Sequence, residues 1–387
     1  MRIAYVTETY PPEINGVSLS VERTVGFLRE RGHAVELIRP RQPGESARDD
    51  SEEWRTAGIP LPLYPDLRLG LAFSCTLAKR FAYSRPDLVH VATEGPLGRA
   101  ALIGARRRGV PVSTDFRTNF PAYSRHYGAG WLQPAICGYL RNFHNLGQRT
   151  FVPSRKMRDE LVSHGFLRLD VVGRGVDSTL FSPARRSPQL RAEWGVSADN
   201  ELVLLYVGRL AREKNIELAL RAFNLVRSLL PQTQMIVVGD GPLRTRLEAK
   251  FPAARFVGAR RGEDLARHYA SADLFVFPSE SETFGNVTIE AMSSGLAVVG
   301  FDAAAVADLI VNGDNGLVAA PGDESAFIGT VCRCAALGSG WLAPLRGRAR
   351  ETALRTSWDK ILGHLEQRLI GVASINSLGE QRHVVMA

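Results

Sequence analysis

The chain has 387 residues with 48 Lys+Arg against 40 Asp+Glu, 45% hydrophobic and 23% charged residues. That length and balance exclude a disordered segment and suit two domains, or one large barrel. No apolar run approaches the ~18–20 residues needed to span a bilayer, and Cys75, Cys137, Cys332 and Cys334 are too scattered for a disulfide framework or a zinc site.

Met1-Arg2-Ile3-Ala4-Tyr5-Val6 is too short for a signal-peptide core and reads as a first β-strand over Ile3–Val6. A loop through Pro11-Pro12 and Asn15-Gly16 follows, then a helix with Val21, Val25 and Leu28 on one face, stopped by Gly32. Val35–Ile38 is the next strand, and Arg41–Trp54 reads as a polar surface loop. Leu88–Val91 and Val110–Ser113 are further strands, with Arg106-Arg107-Arg108 closing the helix between them, where the dipole favours cations. Such alternation predicts a parallel sheet covered on both faces.

The pattern then restarts. Leu202–Val207 is a nearly continuous apolar run, as a fully buried parallel strand should be. It leads into Gly208-Arg209-Leu210-Ala211-Arg212-Glu213-Lys214-Asn215 and a helix at about Ile216–Leu230. Met235–Val238, Phe256-Val257, Leu274–Phe277 and Ala297–Val299 are later strands. The fold class expected is α/β, as two Rossmann-like doubly wound parallel-sheet domains facing across a cleft. Their bounds are 1–172 and 184–357, with a linker at 173–183, a helix at 358–371 packing back on the first domain, and a frayed tail at 372–387. A single barrel fits less well, because the second half reopens with its own phosphate-type loop.

In open α/β sheets ligands bind outside the carboxyl ends of the strands, which directs attention to the loops. Gly208 to Asn215 offers a glycine turn, two cations five residues apart (Arg209 and Lys214) and a helix start, a combination suited to a diphosphate. It is not a Walker A loop, since that spacing is absent. Two solvated cations after a strand are the plainer reading of this stretch alone. Glu282 precedes a helix and Glu290 lies on it, with Phe284, Gly285 and Asn286 between them. A helix N-terminus with a glycine admits close approach by phosphate or sugar oxygens, and two carboxylates accept hydrogen bonds from hydroxyls. The plainer alternative makes Glu282 a cap and Glu290 a surface ion-pair member.

Gly-Arg-Leu with Glu-Lys-Asn, followed some seventy residues later by Glu-x7-Glu around Phe-Gly, resembles the GT-B retaining glycosyltransferases of family four. Pro11-Pro12, Asn15-Gly16-Val17 and Gly175-Val176-Asp177 extend the likeness over essentially the whole chain. The first fifty residues and Asp115–Tyr127 look most like bacterial GDP-mannose-dependent α-mannosyltransferases and sulfolipid-synthase-like lipid glycosyltransferases. The resemblance implies that Arg209 and Lys214 hold the donor diphosphate and that Glu282 contacts the donor sugar. Phe284, Gly285 and Asn286 would line that sugar, and Glu290 the ribose. Gly16 would approach the diphosphate from the first domain. Gly208 would border the donor, and backbone around Val257 would contact the base.

On the acceptor side the candidates are Arg117, Asn119, Tyr123 and His126. Relatives often carry a His where Arg117 stands, and Arg is effectively never a general base. The donor expected is GDP-mannose, with a UDP-sugar as the alternative, and the acceptor a lipid or glycan hydroxyl. No Asp-x-Asp occurs in the chain, so a metal held on the diphosphate by that motif is not expected; no cofactor and no nucleic-acid partner are expected either. The rival readings are a sugar-nucleotide epimerase and a non-catalytic sugar-nucleotide-binding protein. A dehydrogenase is disfavoured because Gly239-Asp240-Gly241 lacks the third glycine of the dinucleotide fingerprint.

Charge adds one asymmetry. Residues 1–170 hold 24 Lys+Arg against 17 Asp+Glu, a net of +7, of the whole chain's +8. An anionic membrane surface for that half is one explanation, giving a cytoplasmic enzyme peripheral at the inner face of the plasma membrane. Biased Arg usage, 43 of the 48 basic residues, is the other.

Overall fold

The apolar runs become the buried centres of two parallel sheets. In the computed structural model, residues 1–13, 16–45, 52–61, 64–117, 133–198, 201–279, 282 and 284–384 are described. The chain divides into two units. Met1–Pro121, Trp131–Gly173 and Asp359–Ala387 belong to the first, and Arg174–Trp358 to the second.

The first unit holds β1 (Arg2–Val6), β2 (Ala34–Pro40), β3 (Glu53–Leu61), β4 (Tyr64–Leu71), β5 (Leu88–Val91), β6 (Val112–Asp115), β7 (Arg149–Val152) and β8 (Leu169–Val171). Their order is β4-β3-β2-β1-β5-β6-β7-β8. All pairs are parallel except β3–β4, an antiparallel hairpin at the sheet edge. Ile3, Ala4, Tyr5 and Val6 are all buried, as a central parallel strand requires. The helix Gly16–Glu30 buries Val21, Val25 and Leu28, the stripe read from the sequence.

Of the stretch Arg41–Trp54 read as a surface loop, Glu53 and Trp54 belong instead to β3, and residues 46–51 lie outside the described residues; the hairpin itself has no counterpart in the sequence reading. Pro60, Gly58 and Gly70 disguise these strands, and an edge is where a sheet tolerates such residues. Arg39 on β2 is buried beneath them, donating from Nη1 and Nη2 to the two oxygens of Glu45 at 2.8 and 2.7 Å and from Nε to Glu53.

The second unit holds β9 (Val203–Val207), β10 (Gln234–Val238), β11 (Arg255–Gly258), β12 (Leu274–Phe277), β13 (Ala297–Phe301) and β14 (Leu317–Ala319). The order β11-β10-β9-β12-β13-β14 is wholly parallel. Counted from β9 this is 3-2-1-4-5-6, the dinucleotide-fold order, whose direction reverses between β9 and β12. One hydrophobic core gathers β9, β10, β12 and β13 with the helix Ile216–Leu229 and the bent helix Glu324–Leu354. That last helix turns at Gly338, its two arms bent by 114°; among the described residues no single helix is long and apolar enough to cross a membrane.

Two boundary readings change. Residues 173–183, read as a linker, join the second unit from Arg174 on. Arg350 donates to the carbonyls of Phe181 (2.8 Å) and Ser178 (3.0 Å), and Val176 bridges Ser357. A guanidinium spanning two carbonyls converts a Gly- and Ser-rich stretch into packed structure. The residues read as a tail from 372 continue the last helix, Trp358–Val384, since no proline interrupts its hydrogen-bond ladder. Leu362, Leu365, Leu369 and Val372 form its buried stripe within the first unit. Glu366 on the same helix lies 2.8 Å from His33 Nε2 and accepts from Arg31 Nε at 3.3 Å. Burial by itself raises this carboxyl, but His33 and Arg31 outweigh it and hold it below the usual range.

Candidate active site

The strand order reverses between β9 and β12, the point at which open α/β sheets leave a crevice at the carboxyl ends of the strands, and the loops leaving those strands carry the sequence candidates. After β9, Gly208 N donates to Val238 O at 3.0 Å and Leu210 N to Asp240 O at 2.9 Å. Gly239 N in turn donates to Gly258 O at 2.9 Å. The turns after β9, β10 and β11 are therefore zipped side by side. The closeness demands glycine: a Cβ on Gly239, whose φ is 141°, would stand 1.9 Å from Gly208 O. Val257, half-buried on β11, borders this zipper.

Arg209 projects from the β9 loop with a side chain 43% exposed, and its Nη1 lies 3.9 Å from Oε1 of buried Glu213. Lys214, closing the same loop, donates to Glu282 Oε1 at 2.5 Å. Both side chains are largely buried, at 13% and 16% exposure. Ser279 Oγ donates to the same carboxylate oxygen at 3.1 Å. Two residues 68 apart in sequence thus meet because β9 and β12 are neighbours. Beneath them, Tyr206 on β9 is fully buried and its hydroxyl donates to Arg209 O at 3.3 Å. Burial, then the nearby Glu282 and Glu213, push this phenol well above its usual range.

Downstream, Phe284 is buried and its carbonyl accepts from Ala305 N at 2.7 Å. Gly285, at φ 91°, makes the left-handed entry to the helix Asn286–Ser293, so Asn286 opens that helix. Glu290 lies on it, partly exposed as a residue but with its carboxyl enclosed by protein; Tyr269 Oη donates to its Oε2 at 3.0 Å. Burial raises this carboxyl to about 7, and the Tyr269 bond only partly offsets it. A carboxyl poised there accepts hydrogen bonds from a diol at modest cost once a ligand excludes water.

The first unit presents its own reversal, between β1 and β5. Glu8, directly after β1, is buried and accepts from Leu97 N at 2.8 Å and from Gly70 N. Burial raises it to about 7 against those backbone bonds. Gly16 begins the helix Gly16–Glu30 in the same unit. Arg117 is buried, donating from Nε to Asp115 at 2.7 Å, from Nη1 to Ser20 Oγ at 2.7 Å and from Nη2 to Tyr5 Oη at 3.3 Å. Its guanidinium is thus committed to the protein framework. Asn119, Tyr123 and His126 lie outside the described residues.

Sequence reasoning passed over Glu8, Tyr206, Glu213, Tyr269 and Ser279. Glu8 carried a usable signal, since it stands directly beyond a strand's carboxyl end. Tyr206 and Tyr269 carried none, because an apolar run hides where a phenol points.

Residues 201–336 match the family described as glycosyl transferases group 1, and residues 14–180 match glycosyltransferase family 4. A GDP-mannose-dependent alpha-mannosyltransferase of Mycobacterium tuberculosis (strain CDC 1551 / Oshkosh) is 35% identical over 380 residues, 95% of this chain and 96% of that protein. The sulfoquinovosyl transferase SQD2 of Arabidopsis thaliana is 32% identical, over 83% of this chain and 64% of its own. Among solved structures, a sucrose-phosphate synthase from Thermosynechococcus elongatus superposes with a TM-score of 0.75 at 20% identity, covering 96% of this chain and 99% of that one. This chain belongs to glycosyltransferase family 4: it is an enzyme of GT-B fold that transfers a sugar from a nucleotide-sugar donor.

Proposed function

We propose that the enzyme transfers mannose from GDP-mannose to a hydroxyl of a membrane lipid or glycan, with retention of anomeric configuration and without a metal. The observation that carries this reading is the Lys214–Glu282 pair at the β9/β12 crevice. A donor diphosphate entering there offers Lys214 a stronger anion, releasing Glu282 to accept from the sugar hydroxyls. Arg209, half-exposed beside it, supplies the second cation. As the glycosyl–phosphate bond breaks, negative charge grows on the leaving diphosphate, and these cations stabilise that charge in a low-dielectric setting. In this reading Glu290 accepts from the ribose hydroxyls, and backbone at Val257–Gly258 contacts the base.

The acceptor hydroxyl attacks the face the diphosphate leaves, which transfers its proton to the departing phosphate oxygen. Glu282 and Glu290 lie on one loop and helix rather than on opposite sides of a cleft, which disfavours the two-carboxylate hydrolysis geometry. Support for mannose comes from the 35% identity to the mycobacterial mannosyltransferase, and support for a lipid acceptor from the sulfoquinovosyl transferase. The +7 on residues 1–170 supports an anionic membrane surface as the partner of that part of the chain.

The test is turnover of radiolabelled GDP-mannose and UDP-glucose, each with EDTA present, with and without extracted membrane lipid. Lipid-dependent transfer from GDP-mannose, with the α-linkage retained in the product, is the expected result. Transfer from UDP-glucose alone, or an absolute need for added divalent cation, refutes the corresponding part of the proposal.

A further inference from the structure

At the opposite, amino-terminal edge of the second sheet lies another charged constellation. Asp273 follows the helix Gly262–Ser271 and immediately precedes β12. Its Oδ2 accepts from Arg191 Nη1 and from Val203 N, both at 3.0 Å. Its Oδ1 accepts from Arg186 Nη2 at 3.0 Å and from Arg346 Nη1 at 3.4 Å. Three guanidiniums therefore converge on one carboxylate. With Pro188 they line a cavity of about 400 Å³.

Part of this arrangement is structural. Arg186 Nη1 donates to the carbonyls of Ala270 (3.2 Å) and Ala272 (3.1 Å), and Arg191 Nη1 to Ser271 O at 2.9 Å, which satisfies the end of the preceding helix. Arg346 Nε donates to Gly295 O at 2.7 Å. These bonds do not balance the charge. Arginine stays protonated, so three cations against Asp273 leave a formal +2, which the exposed Glu201 carboxylate near Arg191 lowers from a distance, and a helix C-terminus contributes only about half a negative charge. Arg191 is buried, and Arg186 and Arg346 are partly so; charge drawn out of water is costly unless an opposite charge meets it. Burial is the main cause that disfavours the protonated form of Arg346; Asp273 opposes it, and Arg186 and Arg191 add smaller repulsions.

We propose that this cavity binds an oxyanion of about two negative charges, a phosphate or phosphate monoester, at a site separate from the donor crevice. The two sites are separated by the length of β9, whose five residues span about 16 Å at roughly 3.3 Å each. A phosphate would bind through the guanidinium nitrogens that these bonds leave over, chiefly Arg346 Nη2, as a charge-assisted acceptor. The volume leaves room for a small organic group on the ester.

Because such a ligand binds the folded state, it shifts thermal unfolding. The full-length protein is melted in inorganic phosphate and in sodium chloride of matched ionic strength. Melts are run for the wild type, for Arg346→Gln, for Arg186→Gln, and for the double variant Arg209→Ala/Lys214→Ala. At about 10 mM phosphate a rise of about 2–4 °C is expected in the wild type and in the double variant. Either cavity substitution should abolish it, and having two guards against one failing to fold. An equal response in the folded cavity variants overturns the proposal. Loss of the response in the double variant, or a wild type that responds no more to phosphate than to chloride, does so too. Sedimentation with phosphatidic-acid vesicles then distinguishes the source. Phosphate-competed pelleting that the cavity variants lose assigns a lipid headgroup, whereas a thermal shift without pelleting assigns a soluble phosphate.

Discussion

Replacing Glu290 with Gln should make the protein more stable at alkaline pH while weakening its hold on the donor. The native carboxyl is raised by burial from 4.5 to about 7. Between those values the folded state binds more protons than the unfolded one, so stability falls as pH rises through this window. The penalty is absent below about pH 4.5 and complete above about pH 7. At about 1.4 kcal/mol per pH unit the ceiling is roughly 3.4 kcal/mol. Because Glu290 is partly exposed as a residue, solvent screening reduces this to about 1–3 kcal/mol. Glutamine keeps an oxygen for the Tyr269 hydroxyl, now 3.0 Å away, so the variant loses the charge and not the bond. The assay is urea denaturation of wild type and Glu290→Gln at pH 5 and pH 8. The stability gap should widen with pH, and nucleoside diphosphate binding should weaken about tenfold as a charged acceptor becomes neutral. A gap that stays constant with pH, or a variant less stable than wild type at pH 8, refutes the reasoning.

Lys214→Ala removes the cation that faces Glu282 and should lower transfer by about 10²–10³ in kcat; a loss below about tenfold argues against its role on the leaving diphosphate. Gly239→Ala drives a Cβ to 1.9 Å from Gly208 O at a φ of 141°, and should cost more than about 3 kcal/mol by circular-dichroism melting. An unchanged melt contradicts the zipped turns. Glu366→Ala strips His33 and Arg31 of their shared carboxylate and should destabilise the first unit by about 1–3 kcal/mol. Faster amide exchange in the last helix, around residues 359–372, is the accompanying signature, and unchanged protection there is the contrary result.

Much of the framework was legible because it depends on local pattern. The runs at Ile3–Val6, Leu202–Val207 and Leu274–Phe277 are apolar without alternation, and only a strand buried on both faces uses such a run. Gly208 and Gly285 flagged backbone that must turn sharply, and the cations and carboxylates beside them marked the loops that became the candidate site. The edge hairpin was not legible, since proline and glycine inside its strands are the usual marks of a loop. Neither was the end of the last helix, where apolar periodicity fades before the hydrogen-bond ladder does.

What sequence alone determined is therefore which residues stand at strand ends and helix starts. Which of them meet was decided by tertiary structure. The crossover that places β12 beside β9 sets Glu282 against Lys214 across 68 residues. The same crossover, at the other end of the same strands, gathers Arg186, Arg191 and Arg346 around Asp273. Neither pairing has a signature in spacing, because sheet order is settled by how whole faces bury one another. The opening charge count gains a location for the same reason. The near-neutral second half is neutral only in sum, and it conceals a paired crevice at one end of its sheet and a cationic cavity at the other.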